Sequence, residues 1–156
     1  MSLSSISALS PLDGRYASKL SALRPIMSEQ GYMHRRVQVE ITWFIALSDA
    51  GFAEFPPLSE GARTYLHGLV ANFSEADAAA IKEIEKTTNH DVKAVEYLLK
   101  EKMDALGLGA CKEFVHFGLT SQDINNTAIP LSIKEALAEV CYPALAELRE
   151  KLAALA

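Results

Sequence analysis

From Ser121 to Ala156 the chain contains no glycine, and apolar residues return at Ile133, Leu137, Val140, Ala144, Leu148, Leu152 and Leu155. Steps of three and four keep these side chains on one side of an α-helix, whose turn takes 3.6 residues. At 1.5 Å per residue the stretch would form a rod of about 54 Å. Pro130 and Pro143 are expected to bend this rod rather than end it, because the periodicity continues through both. A stripe of that length must be buried against other helices, as in a bundle. It is still running when the sequence stops at Ala156, and residues 1–120 offer only shorter helices.

Those shorter helices follow one another with no strand alternation between them. Residues 25–49 open with Pro25, suited to a first helical turn, and carry Met33, Val37, Ile41, Phe44 and Ser48 on one face. Ser59 can cap a helix over 60–73, and Ser74-Glu75-Ala76-Asp77 begins another that runs out near Lys86. Asn89 or Asp91 can cap a helix to about Leu106, which Gly107 and Gly109 end. The spacing predicts an all-α fold: a small N-terminal helical domain over about 1–112, then, over 113–156, the first long helix of a truncated helical bundle. Its missing partners would be another copy of the chain or a further C-terminal part.

Composition narrows the function classes. The net charge is −5, and no cluster of Lys and Arg offers a surface for nucleic acid. The first residues have neither the basic nor the apolar region of a signal peptide, and no apolar stretch approaches the ~20 residues that span a bilayer. Whether Met1-Ser2-Leu3 belongs to the natural chain is left open by composition. Cys111 and Cys141 lie far apart, without metal-ligand spacing, so neither a disulfide nor a zinc site is expected. His34 and His67 have no partners at ligand spacing, so no metal is called for. The expectation is a cytoplasmic protein with no membrane or nucleic-acid partner.

Three polar clusters interrupt the apolar organisation. In Ser10-Pro11-Leu12-Asp13-Gly14-Arg15-Tyr16 the Asp-Gly pair marks a turn. Arg15 is either a surface charge or a fork for a phosphate or carboxylate, with Tyr16 adding a hydroxyl. In Thr88-Asn89-His90-Asp91 capping accounts for Asn89 and Asp91 but not for His90. At a helix N-terminus the protonated form of His90 is disfavoured, which suits it to exchange a proton or donate a hydrogen bond. An exposed loop histidine is the competing reading. Thr120-Ser121-Gln122-Asp123 is a capping box, and its helix start with two hydroxyls is also a ready anion site. His116, within Phe114-Val115-His116-Phe117, reads as a satisfied core histidine.

At these residues the sequence resembles the adenylosuccinate lyase family of the fumarase/aspartase superfamily. The stretches SPLDGRY, TTNHDVKAVEY and HFGLTSQDINNTA fall in the family's order and near its spacing. The resemblance covers the whole chain but only the N-terminal third or so of a family member. It implies a cofactor-free β-elimination that releases fumarate from adenylosuccinate, giving AMP, and from the succinyl-carboxamide intermediate of purine synthesis. It implies that Arg15 and Tyr16 serve the phosphate side of the nucleotide. Asn89, His90 and Asp91 would contact the nucleotide at the reacting centre, with His90 catalytic, and Thr120 and Ser121 would hold a carboxylate. It also implies a homotetramer whose active sites draw on several subunits.

The family's general-acid histidine and its flexible-loop serine belong to segments that do not occur in this sequence. The chain by itself is therefore expected to be inactive. Two other readings compete: a sister lyase such as argininosuccinate lyase, and a non-catalytic helical module that pairs through the Ile133–Leu155 stripe.

Overall fold

A computed structural model describes residues 4–156; the N-terminal triplet singled out above lies outside them. Two 3₁₀ turns, Ala17–Lys19 and Ser21–Leu23, lead into α1 (Arg24–Met27). Then come α2 (Glu29–Asp49), α3 (Glu60–Ala71), α4 (Glu75–Thr88), α5 (Asp91–Ala105) and a 3₁₀ stretch, Gly109–Phe114. The chain closes with α6 (Ser121–Ala136), a π-helical turn (Leu137–Cys141) and α7 (Tyr142–Leu155). The described residues contain no strand, so the all-α expectation holds.

The helix foreseen from Pro25 is two helices. Ser28 breaks it, with an extended backbone at φ −76° and ψ 169°. Its Oγ accepts from the Gly31 backbone N–H at 3.2 Å and so caps α2. The junction is close-packed: a Cβ on Gly31 would lie 2.5 Å from the Ile26 carbonyl oxygen. Ser59 caps α3 by accepting from Ala62 N at 3.2 Å. Ser74 and Asp77 exchange their bonds as the capping box foretold, at 3.0 and 3.3 Å.

The core gathers between α2, α3, α4 and α5. Phe44, Phe55, Leu66, Ile81, Val95 and Met103 are fully buried there. Each such side chain contributes roughly 1.5–3 kcal/mol relative to exposure. Phe55 links two aromatic contacts, to Phe44 with centroids 4.8 Å apart and to Phe114 at 4.5 Å.

α6 lies antiparallel across α2, and it does so through a second stripe: Ile124, Ala128, Ser132 and Ala136 are buried. The small residues at three of these positions, Ala128, Ser132 and Ala136, let the two backbones approach. The stripe recognised in the sequence faces away. Ile133, Leu137, Leu148, Leu152 and Leu155 are exposed, and no residue of α7 is buried. The rod runs through both prolines. At Pro143, which lacks an N–H and crowds the carbonyl four residues back, the ladder loosens: Tyr142 N–H reaches back five residues to the Leu137 carbonyl. Among the described residues no helix is long and apolar enough to cross a membrane.

Candidate functional site

The site is built where the N-termini of α5 and α6 meet. His90 itself, not Asn89 or Asp91, is the N-cap of α5, with an extended backbone at φ −151° and ψ 115°. Its Nδ1 accepts from the Lys93 backbone N–H at 3.2 Å. Capping therefore accounts for His90 as well, against the expectation from sequence, because a bare ring nitrogen is an acceptor like any capping oxygen. Asn89 instead ends α4 in the left-handed region, at φ 51°, a conformation asparagine tolerates. Asp91 opens α5, and its Oδ1 accepts from Val92 N at 2.8 Å.

The opposite ring nitrogen of His90, Nε2, lies 3.3 Å from Ser121 Oγ. With Nδ1 accepting, the hydrogen bonds assign the neutral ring's proton to Nε2, which donates to Ser121. The Ser121 hydroxyl proton is then free to point outward to a ligand. Thr120 spends its proton differently: its Oγ1 donates to Asp123 Oδ2 at 2.8 Å, and its backbone N–H donates to the same oxygen at 2.7 Å. The Thr120 backbone N–H, then its hydroxyl, hold the Asp123 carboxyl below its ordinary value. That carboxylate is turned back onto the helix start and away from any incoming anion.

Behind these residues runs a row of side chains that sequence reasoning missed. Tyr32, Arg36, Glu40 and Trp43 follow one another along one face of α2 in steps of four, four and three. Tyr32 OH donates to Asn125 Oδ1 at 2.8 Å. Arg36, buried at 5% exposure, donates through Nε to the same oxygen at 3.1 Å and through Nη2 to Asp91 Oδ2 at 2.6 Å. Its guanidinium also stacks on the Tyr32 ring, 4.1 Å from the centroid. Burial works against ionisation of Asp91, but the Val92 N–H and the Arg36 guanidinium outweigh it and hold its carboxyl low.

Further along the row, His116 Nδ1 and Glu40 Oε1 are 2.5 Å apart, and Trp43 Nε1 donates to the Phe117 carbonyl at 2.8 Å. His116 adopts φ 63°, a left-handed backbone for a non-glycine residue, just ahead of Gly118 at φ 73°. Glu40 and Trp43 therefore hold the bend that delivers Thr120 and Ser121. The paired His116 fits the core-histidine reading. The signal in the sequence was the helical spacing of four large polar-tipped residues beside an apolar face.

Arg15 and Tyr16 stand apart. Both are exposed, with the Arg15 guanidinium 4.9 Å from the Tyr16 ring centroid. Among the described residues, no hydrogen bond or ion pair joins either one to the other predicted site residues. Their turn is compact: Gly14 is buried, and a Cβ there would sit 2.8 Å from the Ser5 carbonyl oxygen. Among the described residues no group of three or more His, Cys, Asp or Glu is placed to hold a metal.

The arrangement combines a helical scaffold with a neutral histidine and a hydroxyl at paired helix starts. The chain belongs to the lyase family, whose pattern it matches over residues 14–156. Its relatives sharpen this. It is 52% identical over 158 aligned residues to the adenylosuccinate lyase of Haemophilus influenzae, covering all of this chain and 35% of that protein. It is 54% identical over 145 residues to the adenylosuccinate lyase of Escherichia coli K12, covering 92% of this chain and 32% of that protein. With the Dictyostelium discoideum adenylosuccinate lyase it shares 49% over 149 residues, again 92% of this chain and 32% of the relative. The chain thus spans about a third of the length of these relatives.

Proposed function

We propose that this chain supplies the nucleotide-side part of an adenylosuccinate lyase. The whole protein would release fumarate from adenylosuccinate, leaving AMP, and from the succinyl-carboxamide ribonucleotide. The observation that carries the reading is the 3.3 Å approach of His90 Nε2 to Ser121 Oγ across two helix N-termini.

β-Elimination passes through a carbanion beside a carboxylate, and the charge accumulates on the carboxylate oxygens. Donors fixed in place before that charge develops stabilise the transition state most. Ser121, its own oxygen occupied by the His90 N–H, presents a hydroxyl proton at the positive end of α6. His90 holds that proton outward and lies beside the reacting centre. Arg15 and Tyr16 would take the phosphate end, and Asn89 and Asp91 the nucleotide flank. Residues 1–112 would form a domain of their own, and 113–156 the start of a bundle domain. The exposed stripe of α7 supports a homo-oligomer, a tetramer in the family, in a cytoplasmic protein. No step proposed here calls for a cofactor.

The test is turnover by the whole protein, read as fumarate release. Adenylosuccinate should be consumed and argininosuccinate left intact; preference for argininosuccinate would refute the reading. The 156-residue chain alone should release no fumarate, because the segments that carry the family's general-acid histidine and flexible-loop serine do not occur in its sequence.

A further inference from the structure

We propose that Arg36 is a positioning residue: it fixes the two helix starts that hold His90 and Ser121 against each other. This rests on the lyase reading only for the importance it gives those two residues.

His90 and Ser121 lie on different helices, 31 residues apart, and among the described residues no other hydrogen bond joins the two helix starts directly. Asp91 and Asn125 are the neighbours that settle their placement. Asp91 follows His90 and forms the first residue of α5, while Asn125 lies one turn beyond Ser121 on the same side of α6. The Arg36 guanidinium reaches both, at 2.6 and 3.1 Å. A planar fork can satisfy two acceptors at a fixed angle, which a lysine ammonium on a flexible stem cannot do. Tyr32 steadies the same link twice, by bonding to Asn125 and by lying under the guanidinium. A shift of either helix start would lengthen one arm of the fork, so the His90–Ser121 approach is set from α2.

Arg35 provides the control. It too is 5% exposed, and its Nε donates to Glu135 Oε2 at 2.6 Å, also tying α2 to α6. That tie lies near the far end of α6. If Arg36 merely glued two helices, the two arginines would be equivalent.

The measurement is the imidazole signature of His90 in the 156-residue chain, isotopically labelled at its four histidines. Long-range nitrogen–proton spectra distinguish a ring with its proton on Nε2 from the other tautomer or a mixture. The unaltered chain should show His90 with the proton on Nε2. Arg36→Lys should convert it to averaged tautomers, because the cap to Lys93 and the bond to Ser121 both loosen. Arg35→Lys should leave it unchanged. Asn125→Leu, which cuts the link from the α6 side without touching the arginine, should reproduce the Arg36→Lys signature, and Asn125→Asp, which keeps the acceptor, should retain the original one. Survival of the Nε2–H signature in Arg36→Lys or in Asn125→Leu overturns the proposal, as does an equal loss in Arg35→Lys. No substrate enters the measurement, so its failure would leave the lyase reading standing, and an inactive whole protein would leave this proposal standing.

Discussion

His90 caps α5 with one ring nitrogen and meets Ser121 with the other, at 3.2 and 3.3 Å. A single side chain thus carries a folding role and a candidate chemical role on opposite edges of one ring, and substitutions can separate them.

His90→Asn keeps a capping oxygen but loses the reach to Ser121; His90→Ala loses both. His90→Ala should destabilise the chain by about 1 kcal/mol, while His90→Asn should cost little. In the whole protein both should lower turnover by about two to four orders of magnitude. Denaturant melts and fumarate release read the two effects independently, and an active His90→Asn protein would assign the histidine to capping alone.

Glu40 is fully buried, its Oε2 has no partner among the described residues, and burial pushes its carboxyl above the ordinary 4.5, with the His116 hydrogen bond only partly offsetting this. A carboxyl with a raised folded value binds its proton more tightly in the folded state. Its contribution to stability is fully present below the unfolded value and is lost as pH rises through the folded one. Glu40→Gln has no such titration. The stability difference between variant and unaltered chain should therefore move in the variant's favour as pH rises from 4.5 toward neutrality. Urea melts across that window check it; a constant difference would show that Glu40 does not titrate there.

The outer stripe of α7 should drive self-association, since Leu145, Leu148, Leu152 and Leu155 are all more than half exposed. At tens of micromolar the chain should sediment as an oligomer or aggregate. Replacing Leu148 and Leu152 by Glu should shift it toward monomer without lowering its melting temperature, because neither residue contributes to the core. Monomeric behaviour of the unaltered chain would deny the stripe this role.

Gly31 lies inside α2, where alanine would ordinarily be favoured by about 1 kcal/mol. Here Gly31→Ala should instead destabilise by about 1–3 kcal/mol, because the added Cβ would lie 2.5 Å from the Ile26 carbonyl oxygen. A thermal melt decides the sign.

The helices were legible because each carries its own punctuation. Ser59, Ser74 and Thr120 announce helix starts through local chemistry, and the Met33–Ser48 face announces its burial through period alone. The break at Ser28 was harder to read. Pro25 and Ser28 are both acceptable at a helix start, and only the packing of Ile26 against Gly31 selects Ser28 for the longer helix.

The site followed the same division. That His90 and Ser121 stand at helix starts was written in the sequence, since residues within a few positions decide it. That His90 is the cap was not, because the choice among Asn89, His90 and Asp91 depends on where Asp91 is drawn. Arg36 draws it, from 55 residues away. Likewise the α7 stripe is a property of its own residues, while the inner stripe of α6, three of whose four side chains are small, gains meaning only against α2. Local bonds and periodicity fixed what each segment would become. Contacts between distant segments decided which face was buried, which side chain capped, and which two helix starts came together.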